Sequence, residues 1–581
     1  MPLGGRRLTL GVLGAVVALG VVVRLAAVLP AVPNRHALTY DAARRAMVNM
    51  DAADALRRGD VARLTWDVAG PEQWPTLRLL LAAPAHALAG PGRALGVELG
   101  VSVALVGLLV VALALSAATL SSTSDGAVAV FALSSALLIG NRDLLEHAVN
   151  GMLEVPEAVL TLGATVAWIH ARERGVVRPW SLAVLGNALF HAKFQQGLVF
   201  AATVIAVEML GPGWTQRLRA VAEAFGRGLR RPWVPGFLAL GLASTGVSAG
   251  LVWTGGAHGV LLGHVVSLGR PRVAHWCAAV TLVGPLLLGL ASERASLRAA
   301  LPPRIRFAWG WLLCPMLLWL LVPFTWRLET LIASATFDAG VGALGPLDRL
   351  LFYPRAAWHG WFPPGSGWIA LGLLACTGVA AVRSPRLRTQ LLPIAAVVGV
   401  ELSVLTLLAG QNLQPRFSVN LAPLVAFGAA LWTEATPQLW TRLTAAIATT
   451  VLLVLGLPVW GDASLASVLS RGFESRENGN ACREVARALR LEEGELVNET
   501  HPSRLQLCNF WVKALARERG AQVRVREPWI GPEPHTVLLL TDGTQPSGPR
   551  NGWTALGPRA RQEILEGALY RVESREWAGR R

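Results

Sequence analysis

Long apolar segments alternate with short arginine-rich segments along most of this chain. The longer segments reach the roughly 20 apolar residues that a helix needs to cross the hydrocarbon core of a bilayer. The pattern predicts a series of membrane spans between residues 8 and 460. They run at about 8–30, 97–120, 125–140, 155–171, 236–253, 275–292, 307–325, 366–382, 390–410, 417–435 and 442–460.

The segment from Trp180 to Leu210 is apolar except for a polar group near its middle. Arginines lie on both sides of it, at 172–178 and 217–231, and basic loops stay on the cytoplasmic side. The chain must therefore cross twice and turn near Lys193. Each leg has about 13 residues, or about 20 Å of helix, which is less than the roughly 30 Å core. We expect a recessed turn that lines a cavity; its polar residues are Asn187, His191, Lys193, Gln195 and Gln196.

With these two crossings, the predicted fold class is an all-α polytopic membrane protein of about thirteen transmembrane helices. The N-terminus is then cytoplasmic and the C-terminus non-cytoplasmic in this multi-pass protein. The segments 31–96, 326–365 and 461–581 face the outside in this topology. Arg270 and Arg272 also fall outside and count against it.

The composition agrees with a membrane protein. Of the 581 residues, 53% are hydrophobic and 15% are charged, against about 25% charged in soluble proteins. The net charge of +16 does not indicate a nucleic-acid partner, because the arginines lie mostly between apolar segments. Many of the 22 tryptophans lie at segment ends, as in an interfacial belt.

The chain divides into two predicted domains, a membrane domain at 1–460 and a small C-terminal α/β soluble domain at 461–581. The second part lacks long apolar runs. It has helix-like segments, CREVARALRLEE and LQLCNFWVKALARERG, and strand-like segments, ELVNET and HTVLLLTD. Cys482 and Cys508 lie in this part, where an oxidising compartment would permit a disulfide.

Four carboxylates follow the first predicted span, in the stretch from His36 to Arg63; they are Asp41, Asp51, Asp54 and Asp60. One interpretation is a solvated amphipathic helix, because Asp41–Arg45 and Asp54–Arg58 are spaced as surface ion pairs. The other interpretation makes Asp41 part of a functional site, and it depends on the rest of the chain.

Other polar residues lie in or beside the predicted spans. Glu401 lies near mid-bilayer, where it is either a functional group or a helix–helix hydrogen bond. Lys193 either snorkels to the interface or binds a phosphate, and Arg416 has the same two interpretations. Glu154 opens a predicted span, where an acid is also an ordinary partner of the helix dipole. We find no Walker loop, HExxH, GxSxG or CxxC motif.

Several segments, in order, resemble motifs of the GT-C superfamily, the polytopic glycosyltransferases that use polyprenyl-phosphate sugars. The resemblance is to the bacterial branch related to protein O-mannosyltransferases and aminoarabinose transferases, and it covers about residues 1–435. The segments are TYDAARRAM, WPTLRLLLAAPAHALAG with Trp74 and Pro75, SDGAVAVFALSSALL, HAVNGMLEVPEAVL, LGNALFHAKFQQG, FYPRAAWHGWFPPG and QPRFSVNLAP.

This resemblance implies site residues. Asp41 takes the position of the catalytic acid, and Lys193, Arg142 and Arg416 are the candidates for binding the donor phosphate. Four further site candidates are Glu154, His191, Tyr353 and Arg355. Many relatives have a second acid directly after the first, whereas Ala42 follows Asp41 here. Chelation of a metal by a paired carboxylate is therefore in doubt, and a divalent metal ion is an open possibility; no other cofactor is indicated.

The resemblance implies inverting hexosyl or pentosyl transfer from a polyprenyl-phosphate-linked donor to a lipid, glycan or protein acceptor. It also implies that the protein lies in a bacterial plasma (inner) membrane and acts at its outer face. Such a reaction needs a carboxylate to deprotonate the acceptor hydroxyl and cations to hold the departing phosphate. Two alternatives stay open: a polytopic transporter or lipid flippase, and a ligase or polymerase of lipid-linked glycans. A transporter would be expected to show internal repeats, and we see none in the sequence.

Overall fold

A computed structural model describes most of the chain, in two compact units. The described residues are 3–69, 76–211, 213–253, 258–261, 264–267, 293–321, 345–408, 413–435, 439–488, 496–499, 506–520, 524–526, 536–541, 553–555 and 567–572. The first unit comprises 1–162, 353–384 and 415–581, and the second comprises 163–352 and 385–414.

The first unit is mainly helical. Up to residue 173 its helices are α1 (Leu3–Val28), α2 (Tyr40–Arg58), α3 (Val61–Ala69), α4 (Thr76–Ala89), α5 (Ala94–Leu120), α6 (Ser124–Leu138), α7 (Arg142–Glu146) and α8 (Glu154–Glu173), the last of which ends in the second unit. Glycine lets α1 and α5 approach closely, because a Cβ on Gly14 would lie 2.6 Å from Ala114 Cβ. Asn141 begins α7 by accepting a hydrogen bond from the Leu144 amide.

The second unit contains the short pair of helices that the sequence predicts. Its described elements up to residue 321 are α9 (Trp180–Ala192), α10 (Phe194–Met209), α11 (Trp214–Leu229), α12 (Trp233–Trp253), β1 (His258–Leu261), β2 (His264–Ser267), α13 (Arg294–Ala300), α14 (Pro303–Phe307), a π-helix (Ala308–Leu313) and α15 (Cys314–Leu321). Lys193 alone separates α9 from α10, which confirms the predicted turn. Gly197 permits the close packing of this pair, since a side chain there would collide with Phe190.

The later part of the membrane domain continues the helical pattern. Its helices are α16 (Pro346–Gly360), α17 (Gly367–Arg383), α18 (Pro385–Leu408), α19 (Ala422–Ala430), α20 (Trp432–Ala435) and α21 (Leu439–Gly456). A 3₁₀ helix, Pro415–Leu421, precedes α19. Glu401 of α18 is 4% exposed, so it is buried as the sequence suggests. Trp74 and Pro75 lie outside the described residues.

Length and apolar composition qualify four of the described helices as membrane spans, or five if α10 and α11 count as one bent span. The four run at Gly5–Ala31, Ala94–Leu120, Pro385–Leu407 and Leu439–Trp460. Shorter apolar helices lie at Thr76–Ala89, Ser124–Leu138, Trp233–Ala243 and Gly367–Arg383. The helices follow most of the predicted segments, while the total of thirteen stays a prediction and the segment 275–292 lies outside the described residues.

The C-terminal part combines helices with a mixed sheet. Its elements are α22 (Asp462–Arg471), α23 (Arg476–Ala488), β3 (Leu496–Glu499), α24 (Gln506–Glu518), β4 (Arg524–Arg526), β5 (Thr536–Thr541), β6 (Trp553–Ala555) and β7 (Gly567–Val572). The sheet order is β4-β3-β5-β7-β6. Strand β3 pairs in parallel with β4 and β5, and β7 pairs antiparallel with β5 and β6.

Helix α24 shares an apolar core with helix α2. Phe510 and Trp511 belong to the same buried apolar cluster as Ala42, Ala46 and Met50 of α2. An independent domain at 461–581 therefore stays a prediction. Cys482 is disulfide-bonded, and the side chain of its predicted partner, Cys508, lies outside the described residues.

Candidate functional site

Helix α2 positions Asp41 at the edge of the first unit. Thr39 has an extended backbone before the helix, and Asp41 lies in the first turn, where a carboxylate is favourable to the helix dipole. The neighbouring alanines, Ala42 and Ala43, are buried against the core. The Asp41 side chain is 40% exposed. It is therefore fixed by a packed helix and still open to a reactant.

Among the described residues, Arg416 forms an ion pair with Asp41. Its Nη2 lies 3.6 Å from Asp41 Oδ2, and its side chain is 28% exposed. The guanidinium also lies 5.3 Å from the centre of the Phe417 ring, within the range of a cation–π contact. The 3₁₀ helix thus places Arg416 between an aromatic ring and the carboxylate. Two residues that the sequence selects separately meet in the structure.

Arg45 lies one helical turn beyond Asp41, but it is not the solvated partner of a surface pair. Its Nη1 lies 3.6 Å from the sulfur of Met152. Burial lowers the pKa of the Arg45 guanidinium, while the Asp41 and Glu154 carboxylates raise it. The charges of Arg78 and Arg416 lower it further. Arg45 is therefore part of one electrostatic group of three cations and at least two acids.

Glu154 joins this group from the first turn of α8, with 3% of its surface exposed. The turn before it contains Gly151, whose φ of +82° is in the left-handed region. A Cβ on Gly151 would lie 3.3 Å from Ala42 Cβ and 3.4 Å from Arg78 Nη2. Glycine is therefore required here both by conformation and by the close approach of α2 and α4.

A buried ionic network lies next to this group, and the sequence analysis did not select it. Arg78 Nη2 lies 2.8 Å from Glu98 Oε2, and His86 Nε2 lies 2.8 Å from Glu98 Oε1. Asn49 donates to the same carboxylate at 2.7 Å. Arg78, His86 and Glu98 are at most 2% exposed. The available signal was the presence of ionisable residues inside the apolar segments 76–89 and 94–120.

The other sequence-predicted site residues differ in their exposure and in the unit to which they belong. Arg142 on α7 and Arg355 on α16 are exposed, whereas Tyr353 is fully buried. His191 and Lys193 belong to the second unit, so their grouping with Asp41 stays a prediction. The His191 ring packs edge-on against Trp319, with centroids 4.8 Å apart.

Asp143 of α7 has an unusual electrostatic environment. Burial raises the pKa of its carboxyl to about 6, and the neighbouring Glu146 carboxylate also raises it. The charges of His147 and Arg471 partly oppose the shift. Its carboxylate lies against Gly360, where any side chain would collide with it.

The other acids of α2 hold the C-terminal helix rather than facing solvent. Lys513 Nζ lies 2.5 Å from Asp51 Oδ2, and Arg517 Nη2 lies 2.6 Å from Asp54 Oδ1. The Lys513 and Arg517 side chains are 2% and 4% exposed. Asp54 also lies 3.6 Å from Arg57 of its own helix. The predicted pair Asp54–Arg58 is therefore wrong in its partner, since the described ion pairs of Asp54 are with Arg57 and Arg517.

A metal site is not evident in the described part of the chain. No group of three or more His, Cys, Asp or Glu side chains is arranged there to hold an ion. A divalent metal ion therefore stays a prediction.

Comparison with known proteins finds similarity among solved structures. No protein-family model matches the chain, and no curated protein matches it. The fold is similar to the crystal structure of ArnT from Cupriavidus metallidurans bound to undecaprenyl phosphate, with 12% identity and a TM-score of 0.46. The match covers 98% of this chain and 99% of that chain.

Proposed function

We propose that this protein is an integral membrane glycosyltransferase. It transfers a sugar from a polyprenyl-phosphate-linked donor to a lipid, glycan or protein acceptor at the outer face of the plasma membrane. The observation that carries the proposal is the pairing of a half-exposed carboxylate, Asp41, with Arg416 beside the partly buried Arg45. A base and cations are the two kinds of group that transfer from a lipid phosphate requires.

Asp41 is the general base in this proposal. It accepts the proton of the acceptor hydroxyl as the hydroxyl oxygen attacks the anomeric carbon. The bond between that carbon and the phosphate oxygen breaks, and the polyprenyl phosphate departs with inversion. Asp41 suits this role because it projects from the first turn of a packed helix and is still 40% exposed.

Arg416 is the cation closest to the base and is the leading candidate to hold the donor phosphate. A guanidinium offers two parallel donors to a phosphate, and such hydrogen bonds are stronger than neutral ones. Its contact with Asp41 at 3.6 Å is longer than an ideal ion pair, so an incoming phosphate can compete for the guanidinium. Lys193, His191, Tyr353 and Arg355 keep the roles that the motif resemblance implies, and Arg142 is the alternative to Arg416 for the phosphate.

The test is a transfer assay with purified full-length protein. A radiolabelled polyprenyl-phosphate sugar is incubated with the protein and a mixture of membrane lipids and glycans. The proposal expects label to appear in a second molecule, with free polyprenyl phosphate as the other product. Uptake of a solute or lipid into proteoliposomes without any sugar transfer would overturn it in favour of a transporter.

A further inference from the structure

A cavity of about 650 Å³ lies in the second unit, bounded by α11, α13 and the start of α14. Three arginines line it: Arg217, Arg298 and Arg306. The described lining contains no carboxylate; its other polar side chain is Gln216. The lining side chains therefore contribute three guanidinium groups and no carboxylate, a composition that favours an anion.

Small residues create the space. Ala220 lines the cavity from α11, and Ala299 and Ala300 line it from α13. Further along α11, Ala224 and Gly228 are buried on the same helix face. These positions let α11 pack closely on α13 while the arginines border the opening. Pro302 and Pro303 end α13 and start α14, which turns the chain around the cavity.

The acids of this region are engaged by other cations. Glu293 accepts hydrogen bonds from Arg227 at 3.0 Å and from Arg231 at 3.1 Å. Glu208 pairs with Arg172 at 3.0 Å. Arg217 donates to the backbone carbonyls of Glu208 and Met209 at 2.8 and 3.2 Å, and these bonds hold its guanidinium at the cavity wall.

The adjacent face of α11 is apolar and exposed. Trp214, Leu218 and Phe225 are 46%, 43% and 38% exposed. At about 100° per residue they fall within about 40° of one another around the helix. Such a helix, with basic residues on its other faces, is typical of one that lies in the membrane interface. An apolar stripe beside an anion cavity matches a ligand with acyl chains and a charged headgroup.

Tryptophans mark a membrane–water boundary near these elements. Trp180, Trp233 and Trp309 lie at or near the starts of α9, α12 and the π-helix and are 51%, 38% and 46% exposed. Trp311 is 54% exposed and packs edge-on against Trp180, with centroids 5.0 Å apart. Exposed tryptophans at helix ends are typical of the headgroup level of a bilayer.

We propose that this cavity binds the phosphate-bearing headgroup of an anionic glycerophospholipid, whose acyl chains lie along the apolar stripe of α11. The cavity belongs to the second unit and Asp41 to the first, and the inference does not depend on the proposed glycosyltransferase activity. The distribution of arginines predicts that it faces the cytoplasmic leaflet, where basic pockets recognise anionic lipids.

The experiment measures lipid binding to delipidated full-length protein by native mass spectrometry, with phosphatidylglycerol and phosphatidylcholine as probes. Wild type is expected to prefer phosphatidylglycerol. The triple variant Arg217→Gln, Arg298→Gln and Arg306→Gln should bind it at least about tenfold more weakly, the effect of losing one charge-assisted hydrogen bond. Single variants Arg298→Gln and Arg306→Gln, at exposed positions, should each weaken binding and give the result if the triple variant does not fold.

The matched control is Arg174→Gln, Arg178→Gln and Arg219→Gln, which removes the same charge from exposed positions outside the cavity. It should bind phosphatidylglycerol as the wild type does. Equal losses in both triple variants, or unchanged binding by the single cavity variants, would overturn the proposal. Displacement of phosphatidylglycerol by an equal concentration of inorganic phosphate would also overturn it, because the cavity would then be a site for a soluble anion.

Discussion

Arg416 Nη2 lies 3.6 Å from Asp41 Oδ2. The two residues are far apart in the sequence, because Asp41 lies in the first turn of α2 and Arg416 in the 3₁₀ helix before α19. In the function we propose, the carboxylate of this pair is the base and the guanidinium holds the phosphate of the donor. The two roles can be separated by substitution, because only one of them concerns a proton.

Asp41→Asn is expected to abolish most transfer activity while leaving the protein folded. The amide preserves the shape of the side chain and the start of α2 but cannot accept a proton. Base catalysis contributes about 10²–10⁴-fold, so kcat should fall by that order. The measurement is initial transfer rate with saturating donor.

Asp60→Asn is the matched control for this substitution. Asp60 is exposed, and its Oδ1 accepts a hydrogen bond from the Arg63 amide, which an asparagine can also accept. It should retain nearly full activity. Equal mild losses in the two variants would remove Asp41 from the reaction.

Arg416→Gln should raise the KM for the donor by about tenfold or more, because a charged hydrogen bond to the phosphate is lost. Arg142→Gln should change the KM by less than about twofold, since Arg142 is exposed and exposed charges contribute little. Steady-state kinetics with varied donor decide between the two cations. A larger effect at Arg142 would show that the wrong cation was assigned to the phosphate.

In the ion pair that joins α2 to α24, removing the carboxylate should lower the free energy of unfolding more than removing the lysine does. Asp51→Asn leaves the 2%-exposed Lys513 ammonium without its carboxylate, and breaking such a buried pair should cost about 3 kcal/mol. Lys513→Met removes the buried charge as well and should cost less. Thermal unfolding of the purified variants gives the comparison.

The control for this pair is Asp125→Asn, because the Asp125–Arg442 pair has side chains 70% and 58% exposed. Its loss should cost less than about 1 kcal/mol. If Lys513→Met proved more damaging than Asp51→Asn, the packing of the lysine stem, rather than its charge, would hold α24 in place.

Asp143 predicts a pH dependence of stability. Its folded pKa of about 6 is above the ordinary value of 3.8, so the native state binds the proton more tightly than the unfolded chain does. The stabilisation from this proton is full below about pH 4 and is lost as pH rises through about 6. Asp143→Asn should therefore stabilise the protein at pH 7 by about 1 kcal/mol, discounted for solvent screening at this partly exposed group.

The measurement is unfolding temperature from pH 4 to pH 8 for wild type and Asp143→Asn. The variant should have a flatter profile between pH 4 and pH 6, and Asp125→Asn should keep the wild-type shape. A wild-type profile that does not decline relative to Asp143→Asn in this window would contradict the assignment.

The sequence predicted the local features of the fold because they depend on near neighbours. Apolar runs predicted most of the described helices of the membrane part, and alternation predicted β3 and β5. The polar residues between two short apolar runs predicted the turn at Lys193, since its position follows from the charge of the flanking loops. Asp41 and Arg416 were both selected, but nothing in their local sequence indicates that they touch.

The tertiary structure decided which charges are paired. The sequence predicts Arg58 as the partner of Asp54, whereas in the structure Asp54 pairs with Arg57 of its own helix and with the buried Arg517 of α24. Glu98 and Arg78 lie in separate apolar segments, and each tolerates burial because the other neutralises it. Helical periodicity relates residues only a few positions apart. A buried charge, in contrast, is costly without a partner in the low dielectric of a packed interior, so charges that are distant in the sequence are paired in the fold. For that reason the sequence alone determined where the helices and Asp41 lie. Only the folded chain determined that Arg416 contacts Asp41 and that Arg217, Arg298 and Arg306 line one cavity beside α11.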